Sequence, residues 1–292
     1  MIISNLIGGL GNQMFQYAAG RALSLSKEVE FKLDVSDFDA YRLHHGFELQ
    51  RVFCCPVQLA NLDEVRSVLG WQSSSIIRRF LARPEMSTFR RRSFVIEPHF
   101  QFWGGINHVD VNCYLTGYWQ TEKYFSGYSD VIRSDLSFKN SFNNVNSCVA
   151  EQINGVAAVS LHVRRGDYVN NPKTTANHGV CPLDYYVKAI QYIADRVAKP
   201  EFFIFSDDPA WVKDNINIDF PSRYIDHNQG AESYNDMHLM SLCKHHIIAN
   251  SSFSWWGAWL NPDPNKIVVA PKKWFANSND VRDLFPDAWV SL

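Results

Sequence analysis

Residues 157–168 read Ala157-Ala158-Val159-Ser160-Leu161-His162-Val163-Arg164-Arg165-Gly166-Asp167-Tyr168. A short apolar run, long enough for one buried strand, empties into a charged loop. Two adjacent guanidiniums at a strand terminus imply a polyanionic ligand, because arginine's permanent charge and planar fork of donors match phosphate oxygens. The plainer alternative is a solvated turn in which the aspartate pairs an arginine. The flanking sequence has to decide between them.

From about Gly155 onward, short apolar runs alternate with helical ones, the pattern of a parallel sheet flanked by helices. Strands are expected at 157–162, 202–206, 223–225, 246–249 and 266–270, with helices at 183–197, 209–215, 234–243 and 254–260. In an open parallel sheet, ligands bind beyond the carboxyl ends of the strands. Polar clusters fall at that edge: His162, Arg164, Arg165 and Asp167 after the first strand, Ser206, Asp207 and Asp208 after the second, and Asn250, Ser251, Ser252, Phe253 and Ser254 after the fourth. Arginine can neutralise a departing diphosphate, Asp207 can accept from a guanine edge or a ribose hydroxyl, and the serine-rich turn offers hydroxyls and helix-start amides to phosphate. Each cluster also has a plain reading: Asp207, Asp208, Ser251 and Ser252 can simply cap helices, and His162 can be a satisfied core imidazole.

At the amino terminus Ile2–Ile7 reads as a short buried strand, Gly8-Gly9-Leu10-Gly11 as a tight turn, and 12–25 as a helix. Such a turn places free backbone N–H groups at a helix start, so Gly11, Asn12 and Gln13 are candidates for phosphate or sugar contact, with a structural turn as the alternative. It is not a dinucleotide fingerprint, because Met14 stands where the last glycine would be. Asn140–Asn146 is polar and turn-rich and marks a boundary, giving domains at 1–145 and 146–292. Between Asn61 and Phe142 the pattern is least legible. Arg78, Arg79, Arg83, Arg90, Arg91 and Arg92 interleave with Phe80, Leu81, Phe89 and Phe94; a solvated helix face is the first reading, docking on an anionic acceptor or a membrane surface the sharper one.

A chain of 292 residues has room for two cores. Lys plus Arg is 28 against 30 for Asp plus Glu, a net charge of −2, which excludes a global basic field for nucleic acid. Six scattered cysteines lack metal or disulfide spacing and read as reduced thiols. No leader and no long apolar run is visible, so a cytoplasmic protein is expected, working in solution or at the inner face of the membrane. Aromatic residues make up 14%, with nine Trp, which suits a protein that stacks sugars, although most aromatics fill cores.

The ordered motifs Gly8-Gly9-Leu10-Gly11-Asn12-Gln13-Met14-Phe15-Gln16-Tyr17, His162-Val163-Arg164-Arg165-Gly166-Asp167-Tyr168, Phe205-Ser206-Asp207-Asp208 and 250–261, Asn250-Ser251-Ser252-Phe253-Ser254-Trp255-Trp256-Gly257-Ala258-Trp259-Leu260-Asn261, resemble those of the bacterial α-1,2-fucosyltransferase family. That family shares its His-x-Arg-Arg element with α-1,6- and protein O-fucosyltransferases. The resemblance implies an α/β, GT-B-like fold of two Rossmann-like domains facing across a cleft. The carboxyl-terminal half would hold GDP-fucose as donor, and the amino-terminal half a galactose-terminated oligosaccharide or lipid-linked glycan as acceptor. It implies that Arg164 meets the β-phosphate, that His162 and Asp207 meet the nucleoside, that Ser251, Ser252 and Phe253 line the diphosphate, and that Gly11 and Asn12 reach the donor from the other domain. Arg165, Asp208, Asn250 and Gln13 fall within the same motifs as substrate-binding candidates.

The implied reaction inverts GDP-β-L-fucose to an α-L-fucoside on a galactose 2-hydroxyl. Metal-dependent transferases hold a divalent ion at the diphosphate with an Asp-x-Asp element; the one such string in a loop is Asp37-Phe38-Asp39, a weak signal, so no metal or other cofactor is expected. For the general base the sequence offers Asp167, with Glu232, Asp236 and His44 as looser candidates, and Asp167 reads equally as a partner that holds an arginine. Trp255, Trp256 and Trp259 read as packing rather than acceptor stacking. Within the class, the alternative is a GDP-fucose-dependent transferase that makes another linkage; from a different class it is a catalytically silent GDP-sugar binder, disfavoured by retention of both arginines, and an oxidoreductase lacks its fingerprint.

Overall fold

The computed structural model describes residues 1–39, 45–166, 179–276 and 280–292, without the side chain of Asp39. The candidates Asp167 and His44 lie outside those residues. The chain forms two compact units, one from 1–139 with 281–284, the other from 140–280 with 285–292. The division falls at Lys139–Asn140 rather than at Asn146 because Asn143 caps a helix over Asn144–Gly155 that packs within the second unit.

The first unit is built on a wholly parallel sheet of β1 (Ile2–Asn5), β2 (Phe31–Asp34), β3 (Phe94–Ile96) and β4 (Cys113–Thr116) in the order β2-β1-β4-β3. Its helices are α1 (Leu10–Lys27), α2 (Leu49–Val52), α3 (Leu62–Leu69), α4 (Ser75–Leu81) and α5 (Ser129–Asp135). Helix α1 begins two residues earlier than the sequence suggests: the turn is confined to Gly8-Gly9, and Gly11 belongs to the first helical turn. At Gly8 φ is +81°, and a Cβ would come within 2.7 Å of the Asn12 amide nitrogen, so only glycine fits.

The basic stretch is only partly a solvated face. Arg78 is buried, with its guanidinium 2.7 Å from Asp34 and bonded to the Tyr114 hydroxyl. Arg90 spends its fork on the carbonyls of Leu81, Ala82 and Arg83, closing the end of α4.

The second unit carries six parallel strands, β5 (Ala157–Val163), β6 (Pro200–Ser206), β7 (Ser222–Ile225), β8 (His245–Ile247), β9 (Val268–Ala270) and β10 (Val290–Ser291), ordered β10-β9-β8-β5-β6-β7. Numbered within the unit, that is the 3-2-1-4-5-6 order of a dinucleotide-type sheet, and the strand order reverses between β5 and β8. Helices α6 (Asn144–Gly155), α7 (Leu183–Ala194), α8 (Pro209–Asn215), α9 (Tyr234–Leu242) and α10 (Ser252–Leu260) join the strands.

Alternation along the central strands explains why both faces are covered. Val159, Leu161, Val163, Phe202 and Ile204 pack into one layer with Tyr185, Ala189 and Ile193 of α7, while Ala158, Phe203 and Phe205 pack into the other with Val149 and Ile153 of α6 and Leu239 and Met240 of α9. Trp255, Trp256 and Trp259 of α10 are fully buried against one another, which settles them as packing.

Buried polar side chains brace the middle of this sheet. The Asn261 amide donates to the Cys243 carbonyl and lies 2.9 Å from Nε2 of His246, which makes Nε2 the acceptor and leaves the ring proton on Nδ1 for the Ser160 hydroxyl, also 2.9 Å away. Ser160 sits at mid-strand, so this Ser-His-Asn chain ties β5, β8 and the end of α10 together and has no nucleophile to offer. All six cysteines are free; Cys54 and Cys148 are exposed and the other four buried. No helix among the described residues is long and apolar enough to cross a membrane.

Candidate active site

Where β5 leaves the sheet, register places Val163 beside Ser206 of β6, so Arg164 meets Asp207 directly. The guanidinium of Arg164 lies 3.0 Å from one carboxylate oxygen of Asp207, and the other oxygen accepts the backbone N–H of Arg165 at 2.8 Å. Gly166 lies against the same carboxylate: a Cβ there would come within 2.6 Å of the Asp207 Oδ2, so a side chain would push against the group that holds Arg164. Asp207 thus shapes the loop and aims Arg164, whose side chain is 26% exposed.

Arg165 is held differently. It stacks 3.5 Å above the Trp211 ring and pairs with Asp208 at 3.3 Å, while the other Asp208 oxygen caps α8 through the Trp211 N–H. The Ser206 hydroxyl accepts the Asp208 N–H at 3.0 Å. The second arginine therefore anchors the loop through Asp208 and Trp211, and the first is held by Asp207.

His162 shares a sheet face with Ser160. Ser160 is satisfied by His246, whereas the Nδ1 atom of His162 is buried without a hydrogen-bond partner among the described residues. A buried polar atom left unpaired costs about 1–3 kcal/mol and calls for a reason such as a ligand. Burial pushes the imidazole down to about 4; Asp207 opposes that shift and Arg164 reinforces it. The ring is neutral at physiological pH and sits 5.9 Å from that of Phe253.

Beyond β8, the chain turns through Asn250 and Ser251 into α10. The Ser251 hydroxyl caps the helix by accepting the Phe253 N–H, leaving Ser252 and Phe253 half-buried on the first turn, with no acid there to oppose an anion. Asn250 is spent internally: its amide nitrogen donates to the carbonyls of Gly179 and Trp274, and its oxygen accepts from the Cys181 thiol. It ties Gly179, Cys181 and Trp274 to the turn after β8.

The residues of the first unit cluster beyond the carboxyl ends of the neighbouring strands β1 and β4. Gln13 is fully buried, with its amide bonded to the carbonyls of Gly8 and Gly46 and to the Glu48 N–H. Gln16 links Ile7 to Gly117, and Asn12, half-buried, accepts from Gln120 at 2.8 Å. Gln13 therefore builds the glycine turn, beside which Gly11 is buried in the first helical turn and Asn12 is half-buried.

Several residues around the site carry only a weak signal in the sequence. Trp211 carries Arg165, and its signal was an aromatic one turn after the Asp208 cap. Glu97 accepts the N–H groups of Tyr118 and Trp119, fixing Trp119 at φ +55°, and burial raises its carboxyl to about 7. Past β7, buried Asn146 and Asn228 join exposed His227 and half-buried Asp236 in one network, where burial lifts Asp236 to about 7. Of the looser base candidates, Asp236 accepts from Asn228 and Glu232, which is exposed, accepts from Asn235. Asp37 accepts from Asn5, and among the described residues no three His, Cys, Asp or Glu side chains gather as a metal cluster. A cavity of about 750 Å³ lined by Ala157, Val197, Lys199, Pro200 and Phe220 opens at the amino ends of β5 and β6, the wrong edge for ligand binding in such a sheet.

An arginine aimed by a carboxylate, a neutral imidazole whose Nδ1 has no partner among the described residues and a helix start, all at the carboxyl edge of a 3-2-1-4-5-6 sheet, make an α/β site suited to an anionic ligand such as a nucleoside diphosphate. The model of glycosyl transferase family 11 matches residues 94–292, and the chain belongs to that family. It is 36% identical over 299 residues to an α-1,2-colitosyltransferase of Escherichia coli, covering 100% of this chain and 99% of that protein. It is also 36% identical over 316 residues to the O-antigen biosynthesis glycosyltransferase WbnK of Escherichia coli, covering 99% of each. Among solved structures, the NodZ α-1,6-fucosyltransferase of Bradyrhizobium, soaked with GDP-fucose, superposes with a TM-score of 0.52 at 14% identity, over 89% of this chain and 92% of that one. The fold is GT-B-like, and the chain is a glycosyltransferase.

Proposed function

We propose that the chain moves L-fucose from GDP-β-L-fucose to the 2-hydroxyl of a terminal galactose, with inversion to an α-1,2 linkage, on a galactose-terminated oligosaccharide or lipid-linked glycan. The observation that carries this reading is Arg164, oriented by Asp207 at the carboxyl end of β5 beside the point where strand order reverses. In the reaction the bond from the sugar's anomeric carbon to the β-phosphate oxygen breaks, its electron pair leaving with GDP, while the acceptor oxygen bonds to that carbon and loses its proton. Charge grows on the β-phosphate as the bond breaks, and a guanidinium fixed beforehand stabilises it without reorganising. His162, held neutral, can donate or accept one hydrogen bond to a nucleoside without adding charge. The first turn of α10, with Ser252 and Phe253, is suited to the remaining phosphate oxygens. Arg164 supplies the positive charge that a divalent ion provides elsewhere, so the transfer is expected to need no metal. Asp167, two residues past Arg165, stands as the base candidate on its position in the motif.

A second donor is favoured by one relative. Colitose, the sugar named for the Escherichia coli protein above, is L-fucose without its 3-hydroxyl. A site that hydrogen-bonds that hydroxyl rejects the deoxy sugar strongly, whereas a site shaped for the deoxy sugar excludes fucose only weakly. GDP-fucose and GDP-colitose are therefore assayed side by side on a panel of galactose-terminated acceptors, with product linkage read by NMR, for wild type and Arg164→Ala. An α-1,2-fucoside, with turnover falling roughly 10²–10³-fold in the variant, is the expected result. Near-normal turnover in Arg164→Ala, or a preference for GDP-colitose, overturns the leaving-group role or the donor respectively.

A further inference from the structure

We infer that residues 70–92 of the first unit form a docking surface for a bilayer of anionic phospholipid. Helix α4 is apolar on both sides. Ile77, Arg78 and Leu81 face the core, where Leu81 and Ile77 join the cluster of Ile3, Val65, Val68 and Phe94. On the opposite stripe Ile76 and Phe80, one turn apart, are 80% and 48% exposed, with exposed Arg79 between them. Trp71 and Phe89 are exposed as well; the exposed aromatic side chains among the described residues are these two, Phe80 and Tyr118. Three of the four thus fall within one short segment. Scattered apolar side chains on a surface need no explanation, but a concentration of this kind does.

The segment is rigid enough to present them together. The buried amide of Gln72 donates to the Phe89 carbonyl at 2.8 Å and accepts the Arg91 N–H at 3.1 Å, which brings the chain at Trp71 beside the chain at Phe89. Arg91 lies against Gly70, where a Cβ would come within 2.4 Å of its guanidinium. Arg83 covers the Phe80 ring at 5.4 Å.

Charge selects the occupant. Residues 70–92 contain six arginines and one acid, Glu85, in a chain whose net charge is −2. Arg78 is neutralised by Asp34, while Arg79, Arg83, Arg91 and Arg92 are exposed. Arg90, Arg91 and Arg92 also line a groove of about 420 Å³ with Trp103 and His108, and Asp110 is the one acid in its lining. Aromatic rings at headgroup depth with arginines among them are the chemistry of a protein lying on an anionic membrane surface without spanning it. A protein partner would place hydrophobic contacts at its centre and charges at its rim, whereas here the two are interleaved. The surface faces outward from the first unit alone and depends on neither the donor nor the acceptor proposed above.

The full chain is floated with phosphatidylcholine vesicles, with and without phosphatidylglycerol, at about 0.1 M and 0.5 M salt. Binding is expected only to the anionic vesicles and is expected to weaken at the higher salt. Each arginine near an anionic surface strengthens binding about fivefold, so the triple variant Arg79→Ser, Arg83→Ser, Arg92→Ser should bind roughly a hundredfold less well. The double variant Trp71→Ser, Phe80→Ser should lose the salt-resistant part of binding. These residues are exposed and outside the transfer machinery, so both variants should keep the wild-type thermal melt and the wild-type rate on a free soluble acceptor, whichever sugar is transferred. Equal binding to neutral and anionic vesicles, binding to neither, or undiminished binding by the triple variant overturns the inference. So does self-association at micromolar concentration that the double variant abolishes, which would assign the patch to a second copy.

Discussion

Asp207→Asn tests the division of labour between aiming and contact at the β5 edge. Asparagine keeps the volume and one oxygen, so the Arg165 N–H retains its acceptor at 2.8 Å, but the group now facing the Arg164 guanidinium at 3.0 Å is neutral or a competing donor. The lost interaction is a charge-assisted hydrogen bond between side chains about a quarter exposed (26% and 24%). Such bonds contribute about 1.5–3 kcal/mol when buried, and solvent screening here brings the figure to about 1–2 kcal/mol. That corresponds to roughly a 5- to 30-fold smaller population of correctly aimed Arg164, to be read as a fall in kcat at saturating donor, with KM for the donor changed little. Steady-state GDP release is measured for wild type, Asp207→Asn, Arg164→Ala and the double variant. If Asp207 acts through Arg164, the double variant is no slower than Arg164→Ala alone. If instead the carboxylate chiefly holds the nucleoside, as the motif implies, KM for the donor rises, kcat holds and the two losses add; that pattern would refute aiming as the main role of Asp207.

Transfer is expected to run at full rate in excess EDTA after metal-stripping, and an activity that disappears and returns with a divalent ion would return the diphosphate charge to a metal. Burial raises Asp236 to about 7 from an unfolded value near 3.8, so the folded state binds its proton more tightly than the unfolded state. Stability from this group is therefore greatest below about pH 4 and is lost as pH rises through 7, by about 1.4 kcal/mol per unit in between. Asp236→Asn keeps an oxygen for the Asn228 amide and removes the titration. Its stability relative to wild type should be higher at pH 8 than at pH 5 in denaturant melts, and a difference independent of pH would contradict a buried, titrating Asp236.

What could be read from the sequence follows the reach of local signals. Helix α8 lies at Pro209–Asn215 as expected because Asp-Pro writes a cap and a first turn into adjacent residues. β5 and β6 were legible because strands buried on both faces are continuous apolar runs, here with only Ser160 and His162 as interruptions on β5. The start of α1 was misjudged because Leu10 and Gly11 carry no cap signal; Gly9 stands at the cap without a side-chain bond, and the turn is held from a distance by Gln13 and Gln16. Gln13 itself looked like a ligand contact because its motif position was visible and its three partners, one of them Gly46, were not.

The same limit explains which parts of the site stayed hidden. His162, Arg164, Arg165, Asp207, Asp208 and Ser251 announced themselves, being polar groups at predictable strand ends. Their roles did not, since role depends on which neighbour each one meets. Register sets Arg164 against Asp207, and the cap at Asp208 brings Trp211 round under Arg165, so two chemically identical arginines are held by different partners, one by a carboxylate alone across the strands and the other by a ring and a capping carboxylate. A change that loosens Trp211 should thus reach the chemistry only through the loop, whereas a change at Asp207 reaches Arg164 through a single bond. Sequence spacing finds the edge of the sheet where the chemistry happens, and only pairing across strands distributes the work along it.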